Sequence, residues 1–225
     1  MKVSVIGCGY LGAVHAAAMA ELGHQVVAVD VDPNKIALLA SGTAPFFEPG
    51  LPEILSSALA SQRLRFTTDM SEVAGSSVHF IAVGTPQKAG SNAADMTYVD
   101  SAVDALIPFL NDEDFVVGKS TVPVGTSQRL EEKVTAAGSK ATVVWNPEFL
   151  REGFAVQDTI SPDRLVFGIN PGSSFDPALS ALREVYSTAL ATDTPLVVTD
   201  RATAELVKIA ANSFLATKIS FINAM

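Results

Sequence analysis

The chain has 225 residues, 48% of them hydrophobic and 17% charged, and its 24 acidic against 15 basic side chains leave a net charge of -9. That length holds one large domain or one domain and part of a second, and the apolar content excludes a disordered chain. The negative balance, with no local cluster of Lys and Arg, excludes nucleic acid as the expected partner; the single cysteine, Cys8, excludes a disulfide framework and fits a reducing cytoplasm.

The first residues, Met1 to Gly7, carry one positive charge and a short apolar run, unlike a secretory signal. No stretch reaches the roughly 20 apolar residues of a membrane span, so a soluble protein is expected. β-branched runs bounded by turns recur at 3–6, 25–29, 78–83, 115–119, 141–145, 165–169 and 196–199. Most are apolar on both faces, as strands buried in a parallel sheet are. Helical segments lie between them, at 10–22, 33–39, 51–60, 98–110, 126–137 and 175–190. The alternation predicts an α/β fold, a doubly wound parallel sheet of Rossmann type. From Arg201 the pattern changes: 202–225 holds neither Gly nor Pro, and its apolar residues recur at helical spacing. The organisation expected is a dinucleotide-binding domain at 1–199 and the start of a long helix at 200–225, which stops at Met225 without a capping signal, as a truncated helix would.

Gly7-Cys8-Gly9-Tyr10-Leu11-Gly12 follows the first strand and opens the first helix, matching G-x-G-x-x-G. Gly7 suits the tight turn, Gly9 the approach of backbone to a pyrophosphate, and Gly12 the packing of helix on strand. Asp30, after the second strand, can accept from both ribose hydroxyls and would repel a 2'-phosphate, which predicts NAD rather than NADP, with FAD the less favoured alternative. A glycine-rich turn beside a capping Asp is the structural alternative. Cys8 has no activating base in this turn and reads as a packing residue. His15, His24 and His79 show no metal-ligand spacing and read as surface or satisfied core histidines, so no metal is expected.

Ligands in open α/β sheets bind beyond the carboxyl ends of the strands. Three loops there are unusual: Gly84-Thr85-Pro86, Ser120-Thr121-Val122-Pro123-Val124-Gly125-Thr126, and Asn146-Pro147-Glu148-Phe149-Leu150-Arg151-Glu152-Gly153. Thr85, Ser120 and Thr121 offer hydroxyls on loops stiffened by Pro86 and Pro123, although ordinary turn chemistry would account for any one of them. Glu148 and Glu152 can act as base, water activator or hydroxyl ligand, or belong to a solvated loop. Glu205, Lys208 and Asn212 share one face of the last helix, where Lys208 can stabilise an oxyanion and Asn212 orient a substrate oxygen; a solvated stripe is the alternative.

Taken with Phe47-Glu48-Pro49-Gly50-Leu51, Pro162-Asp163-Arg164 and Glu205-Leu206-Val207-Lys208-Ile209-Ala210-Ala211-Asn212, these motifs resemble the UDP-glucose/GDP-mannose dehydrogenase family along the whole chain, nearest its UDP-glucose branch. The resemblance implies two successive NAD-dependent oxidations at the sugar C6, with UDP-glucuronate the product from UDP-glucose and a cysteine thioester on the way. It implies catalytic roles for Thr121, Glu148, Lys208 and Asn212. To the cofactor it assigns Gly7, Gly9, Tyr10, Leu11, Gly12, Asp30, Lys35, Thr85, Pro86, Ser120, Thr121 and Glu152. To the nucleotide sugar it assigns Glu148, Phe149, Leu150, Arg151, Glu152, Lys208 and Asn212. The family's nucleophilic cysteine lies beyond the long helix, which implies that these 225 residues alone do not complete the reaction. A homodimer through the long helix is implied as well. GDP-mannose and UDP-N-acetylmannosamine are the alternative substrates, and a non-catalytic NAD-binding or assembly module is the alternative class.

Overall fold

Short runs of Val, Ile and Phe flanked by Gly, Pro and Asp become strands because both their faces can be covered. The computed structural model describes residues 1–170 and 176–225. Among the described residues the strands are β1 (Lys2–Ile6), β2 (Gln25–Val29), β3 (Leu64–Thr67), β4 (Val78–Ile81), β5 (Phe115–Gly118), β6 (Thr142–Trp145), β7 (Leu165–Ile169) and β8 (Leu196–Asp200). They form one sheet in the order β3-β2-β1-β4-β5-β6-β7-β8. The helices are α1 (Tyr10–Glu21), α2 (Pro33–Ala40), α3 (Leu51–Ala60), α4 (Thr97–Leu106), α5 (Thr126–Ala136), α6 (Ala155–Ile160), α7 (Pro177–Val185), α8 (Ser187–Ala191) and α9 (Arg201–Ala224).

The sheet is covered on both faces, which makes the fold doubly wound. One core joins Val3, Val5, Phe80 and Phe167 to α1, α3, α6 and α7; the other joins Ile6, Ile81, Val116 and Trp145 to α4, α5 and the start of α9. The residues of α1 from Gly12 to Ala20 are buried all round, so this Ala-rich helix is a core element rather than an amphipathic one. Local chemistry sets the helix starts. Asp32 accepts from the N–H groups of Asn34 and Lys35 with Pro33 in the first turn, Asp176 and Pro177 repeat the arrangement at α7, and Asp200 caps α9 through the N–H of Thr203.

The structure corrects the expected topology in three ways. First, β6 and β7 pair antiparallel, with Trp145 opposite Gly168, while β7 and β8 are parallel to each other, so the sheet is mostly rather than wholly parallel. A parallel neighbour needs a connection carried back along the full strand, whereas the chain leaving β6 stays at the carboxyl edge through α6 and re-enters from there. Secondly, β3 and α6 were not expected. The edge strand β3 is four residues long and contains the exposed Arg65, and α6 has only six residues, too few to show a period. Thirdly, the helix expected at 175–190 divides into α7 and α8 at Tyr186, whose hydroxyl turns into the core; its expected first residue, Phe175, lies outside the described residues. The last helix packs closely, because a Cβ on Gly168 of β7 would lie 2.5 Å from the Cβ of Ala204.

Candidate active site

The carboxyl ends of β1, β2, β4, β5 and β6 open onto one edge of the sheet, where two half-sites meet. The first is the turn between β1 and α1. Gly7 has φ +94°, and a Cβ on Gly12 would sit 1.7 Å from the carbonyl oxygen of Gly7, so only glycine lets the helix begin this close to the strand. Gly9 differs, since a Cβ there meets nothing within 4 Å. The backbone therefore faces open space at the N-terminal end of a buried helix, the geometry that receives a diphosphate.

Asp30 follows β2 and is only 8% exposed. Its Oδ2 accepts from the N–H of Cys8 at 2.7 Å and from Nζ of Lys35 at 2.8 Å, and its Oδ1 from the N–H of Asp32 at 3.0 Å. Burial works to raise its pKa, but Lys35 and the two N–H groups outweigh it and hold the carboxyl below its ordinary value. Asp30 and Lys35, both assigned to the cofactor, thus form one unit beside the turn. Cys8 is fully buried, and burial followed by the charge of Asp30 pushes its thiol far above the ordinary value, which removes it as a nucleophile. Thr85 donates to the carbonyl of Thr121 at 2.7 Å and Ser120 to that of Val83 at 2.6 Å, so these hydroxyls tie the two loops together.

The second half-site is carried by residues 146–153 and by α9. Nζ of Lys208 lies 3.0 Å from Oε1 of Glu148, while Oε2 of Glu148 accepts from the N–H of Leu150 at 2.6 Å. Lys208 is 7% exposed. Its place is fixed one turn earlier by Glu205, whose two oxygens accept from the N–H groups of Gly125 and Ser127 at 2.7 and 2.6 Å and so bind α9 to the start of α5. Phe149 lies between two cations: the guanidinium of Arg164 is 4.3 Å and the ammonium of Lys208 5.5 Å from its ring centre. Arg151 lines the same side of the site in a two-point pair with Asp158, at 3.0 and 2.6 Å, whereas Glu152 and Asn212 are exposed. Asn212 lies one turn beyond Lys208, where α9 leaves the body of the domain.

Beneath Glu148 a cleft of about 110 Å³ is lined by Lys119, Asn146, Glu148, Phe149, Arg164 and Tyr186 among others. Lys119 was not expected to matter. It is buried, its ammonium donates to Oδ1 of Asn146 at 3.0 Å and to the hydroxyl of Tyr186 at 3.2 Å, and Tyr186 donates to the same Asn146 oxygen at 2.6 Å. Burial lowers the pKa of Lys119 to about 8, against the opposing attraction of Glu148. The one signal for it is a lysine closing an apolar strand directly before Ser120 and Thr121. Nothing in the sequence points to Tyr186, which sits at a helix break far along the chain. His15, on α1, lines the same cleft with its Nε2 buried and without a partner, so it departs from the expected satisfied core histidine; His24 accords with that expectation, at 2.9 Å from the carbonyl oxygen of Val185.

Glu48 was likewise passed over as a site residue. It is 2% exposed and accepts from the hydroxyl of Tyr10 and from the N–H groups of Gly153 and Ala155 at 2.8 and 2.7 Å. Tyr10 is thereby directed to the 146–153 loop, and burial together with Glu48 pushes its phenol up to about 12. Among the described residues no group of three His, Cys, Asp or Glu is placed to hold a metal ion, and no helix is long and apolar enough to cross a membrane.

Residues 1–190 match the family model described as the NAD binding domain of the UDP-glucose/GDP-mannose dehydrogenase family. UDP-glucose 6-dehydrogenase of Rhizobium meliloti is 47% identical over 226 residues, which cover 99% of this chain and 51% of that protein. The structure of a UDP-glucose dehydrogenase from Pyrobaculum islandicum superposes with a TM-score of 0.90 at 43% identity, over 99% of this chain and 51% of the other. The GDP-mannose dehydrogenase of Pseudomonas aeruginosa superposes equally well, at 0.90, with 32% identity over 99% and 52% of the two chains. The chain spans about half the length of the UDP-glucose 6-dehydrogenases it matches.

Proposed function

From the premise that the chain belongs to the UDP-glucose/GDP-mannose dehydrogenase family and uses NAD, we propose that it is the NAD-binding half of a UDP-glucose 6-dehydrogenase, which converts UDP-glucose, two NAD and water to UDP-glucuronate and two NADH. The observation that carries the reading is the Lys208 to Glu148 pair, 3.0 Å apart and largely buried beside the cleft that Glu148 lines. Its partners come from segments far apart in sequence, and the fold spends a capping carboxylate, Glu205, on keeping α9 in place.

The turn and Asp30 with Lys35 would hold NAD, which would supply the acceptor for the hydride that leaves C6. Glu148 takes the proton released at the C6 oxygen and later activates the water that completes the carboxylate. Its Oε2 is already fixed by the N–H of Leu150, which leaves Oε1 to share between substrate and Lys208. Lys208 donates to the oxygen as negative charge builds on it. Thr121 and Asn212 orient the reacting centre from the β5 loop and from the next turn of α9. Phe149, held between Arg164 and Lys208, forms a wall for the sugar, and the backbone of 148–152 meets the nucleotide sugar. The thioester nucleophile is a cysteine outside these 225 residues, since Cys8 is buried in the turn.

Purified complete protein given each nucleotide sugar in turn tests the reading. Two NADH per UDP-glucose are expected, with GDP-mannose and UDP-N-acetylmannosamine turned over far more slowly; the reverse preference reassigns the substrate. Steady NADH production by residues 1–225 alone overturns the division of labour between the halves. Along α9, Phe214, Leu215, Ile219 and Ile222 are all more than half exposed, which supports pairing of two copies through this helix, to be measured by sedimentation.

A further inference from the structure

Glu48 joins four parts of the chain. It sits in the segment between α2 and α3, and its carboxylate is met by the first residue of α1, by the end of the 146–153 loop and by the first turn of α6. Oε2 accepts from the hydroxyl of Tyr10 and from the N–H of Gly153 at 2.8 Å; Oε1 accepts from the N–H of Ala155 at 2.7 Å and of Val156 at 3.5 Å. Burial opposes ionisation here, but the Tyr10 hydroxyl and the converging N–H groups outweigh it and hold the carboxyl below its ordinary value. No Lys or Arg forms an ion pair with Glu48 among the described residues, so its charge is met by a phenol and backbone dipoles alone.

A six-residue helix such as α6 needs no buried carboxylate to begin; a Ser or Asn at its start would cap it. What the carboxylate adds is a rigid link across the site. Tyr10 is part of the glycine-rich turn and Gly153 closes the loop that carries Glu148; the Tyr10 hydroxyl accepts from the N–H of Gly153 directly at 3.3 Å, and Glu48 Oε2 accepts from both groups, so one carboxylate with both oxygens occupied holds turn and loop against each other. A misplacement of about 1 Å between a bound reactant and its base is enough to slow a reaction about a hundredfold.

We propose that Glu48 is a positioning residue for the oxidation: it holds the 146–153 loop in register with the dinucleotide turn, so that Glu148 and the cofactor meet at working distance, while Glu48 itself touches neither. The inference rests on Glu148 being the base, as argued above.

The test is Glu48→Gln in the complete protein. The amide keeps the shape but has one acceptor oxygen, so its NH2 group must face a buried N–H on one side or the other. The expected result is a kcat lowered about tenfold or more, with the NAD Kd and the KM for UDP-glucose changed by less than about threefold. Amide hydrogen exchange should quicken in 146–156 and stay unchanged in β1 and β4, and Glu48→Asp, which restores the second acceptor, should recover part of the lost kcat. A kcat for folded Glu48→Gln within about twofold of the parent overturns the proposal. So does a loss of turnover matched by loss of folded protein with no change in loop exchange. If the parent protein does not oxidise UDP-glucose, the functional reading fails, and exchange in 146–156 still decides Glu48: unaltered exchange overturns its positioning role. If Glu48→Gln does not accumulate as folded protein, Glu48→Asp carries the same measurements.

Discussion

Two buried polar clusters lie at opposite edges of the same sheet, and their residue types would mislead a reader who ignored position. Toward the amino ends of the strands, Ser4 Oγ is 2.7 Å from Nδ1 of His79, whose Nε2 is 3.4 Å from Oδ2 of Asp114. Ser, His and Asp in a chain are the components of a hydrolytic triad. Here all three are buried, and the carboxylate accepts further bonds from the N–H and side-chain amide of Asn111 at 2.7 and 3.2 Å, so no reactant reaches the serine. At the carboxyl edge, Lys119, Asn146 and Tyr186 form a cluster of similar size, yet it borders a cleft, touches the loop of Glu148, and leaves His15 Nε2 unpartnered. The closed cluster secures the sheet; the open one keeps charge at a cost in stability, as sites for chemistry do.

Breaking the ion pair of Lys208 and Glu148 beside the open cluster should have the largest effect. Lys208→Ala in the complete protein removes the proposed oxyanion donor and is expected to lower kcat about a hundredfold to a thousandfold, with the cooperative unfolding transition retained. Normal turnover would remove the catalytic assignment of Lys208 and leave its pair with Glu148 incidental.

Lys119→Met sharpens the contrast, because stability and activity should move in opposite directions. The folded pKa of Lys119, about 8, lies below its ordinary 10.5, so the folded state binds fewer protons than the unfolded chain between those values. The burial penalty is therefore complete below pH 8 and vanishes as the pH rises through 8 to 10.5. At neutral pH the apolar variant is expected to gain up to about 3 kcal/mol in urea unfolding, an advantage that shrinks as the pH is raised, while turnover falls. A variant less stable than the parent at pH 7 would contradict this account of the cleft.

The closed cluster should respond the other way. His79→Ala is expected to cost about 1–3 kcal/mol, from the cavity and the unpaired Ser4 hydroxyl, with turnover per folded molecule unchanged. Burial works to raise the pKa of Asp114, but His79 and Asn111 outweigh it and hold it below the ordinary value. Its contribution is thus complete above the ordinary carboxylate pKa and lost as the pH falls through the lower folded one, so Asp114→Asn should flatten the acid limb of the stability curve. The smallest effect belongs to the surface: Asp112 and Lys140, paired at 2.8 Å but largely exposed, should show no measurable coupling in a double-mutant cycle.

Much of this was legible in the sequence where chemistry is local. The glycine-rich turn, Asp30, the capping residues and the start of α9 each depend on neighbours within a few positions, so their spacing carries the information. Glu148 and Lys208 could be named as candidates, but a solvated loop and a solvated stripe were open alternatives until α9 packed on Gly168 and brought the two within 3.0 Å.

By itself, then, the sequence determined a doubly wound α/β domain with a dinucleotide turn, because strand and helix periods and glycine sterics are short-range. The tertiary structure alone decided the antiparallel turn-back at β7, the burial of Lys119 against Asn146 and Tyr186, and the bonding of Glu48 to Tyr10, Gly153 and Ala155, since each joins residues far apart in the chain and only packing brings such partners within bonding distance.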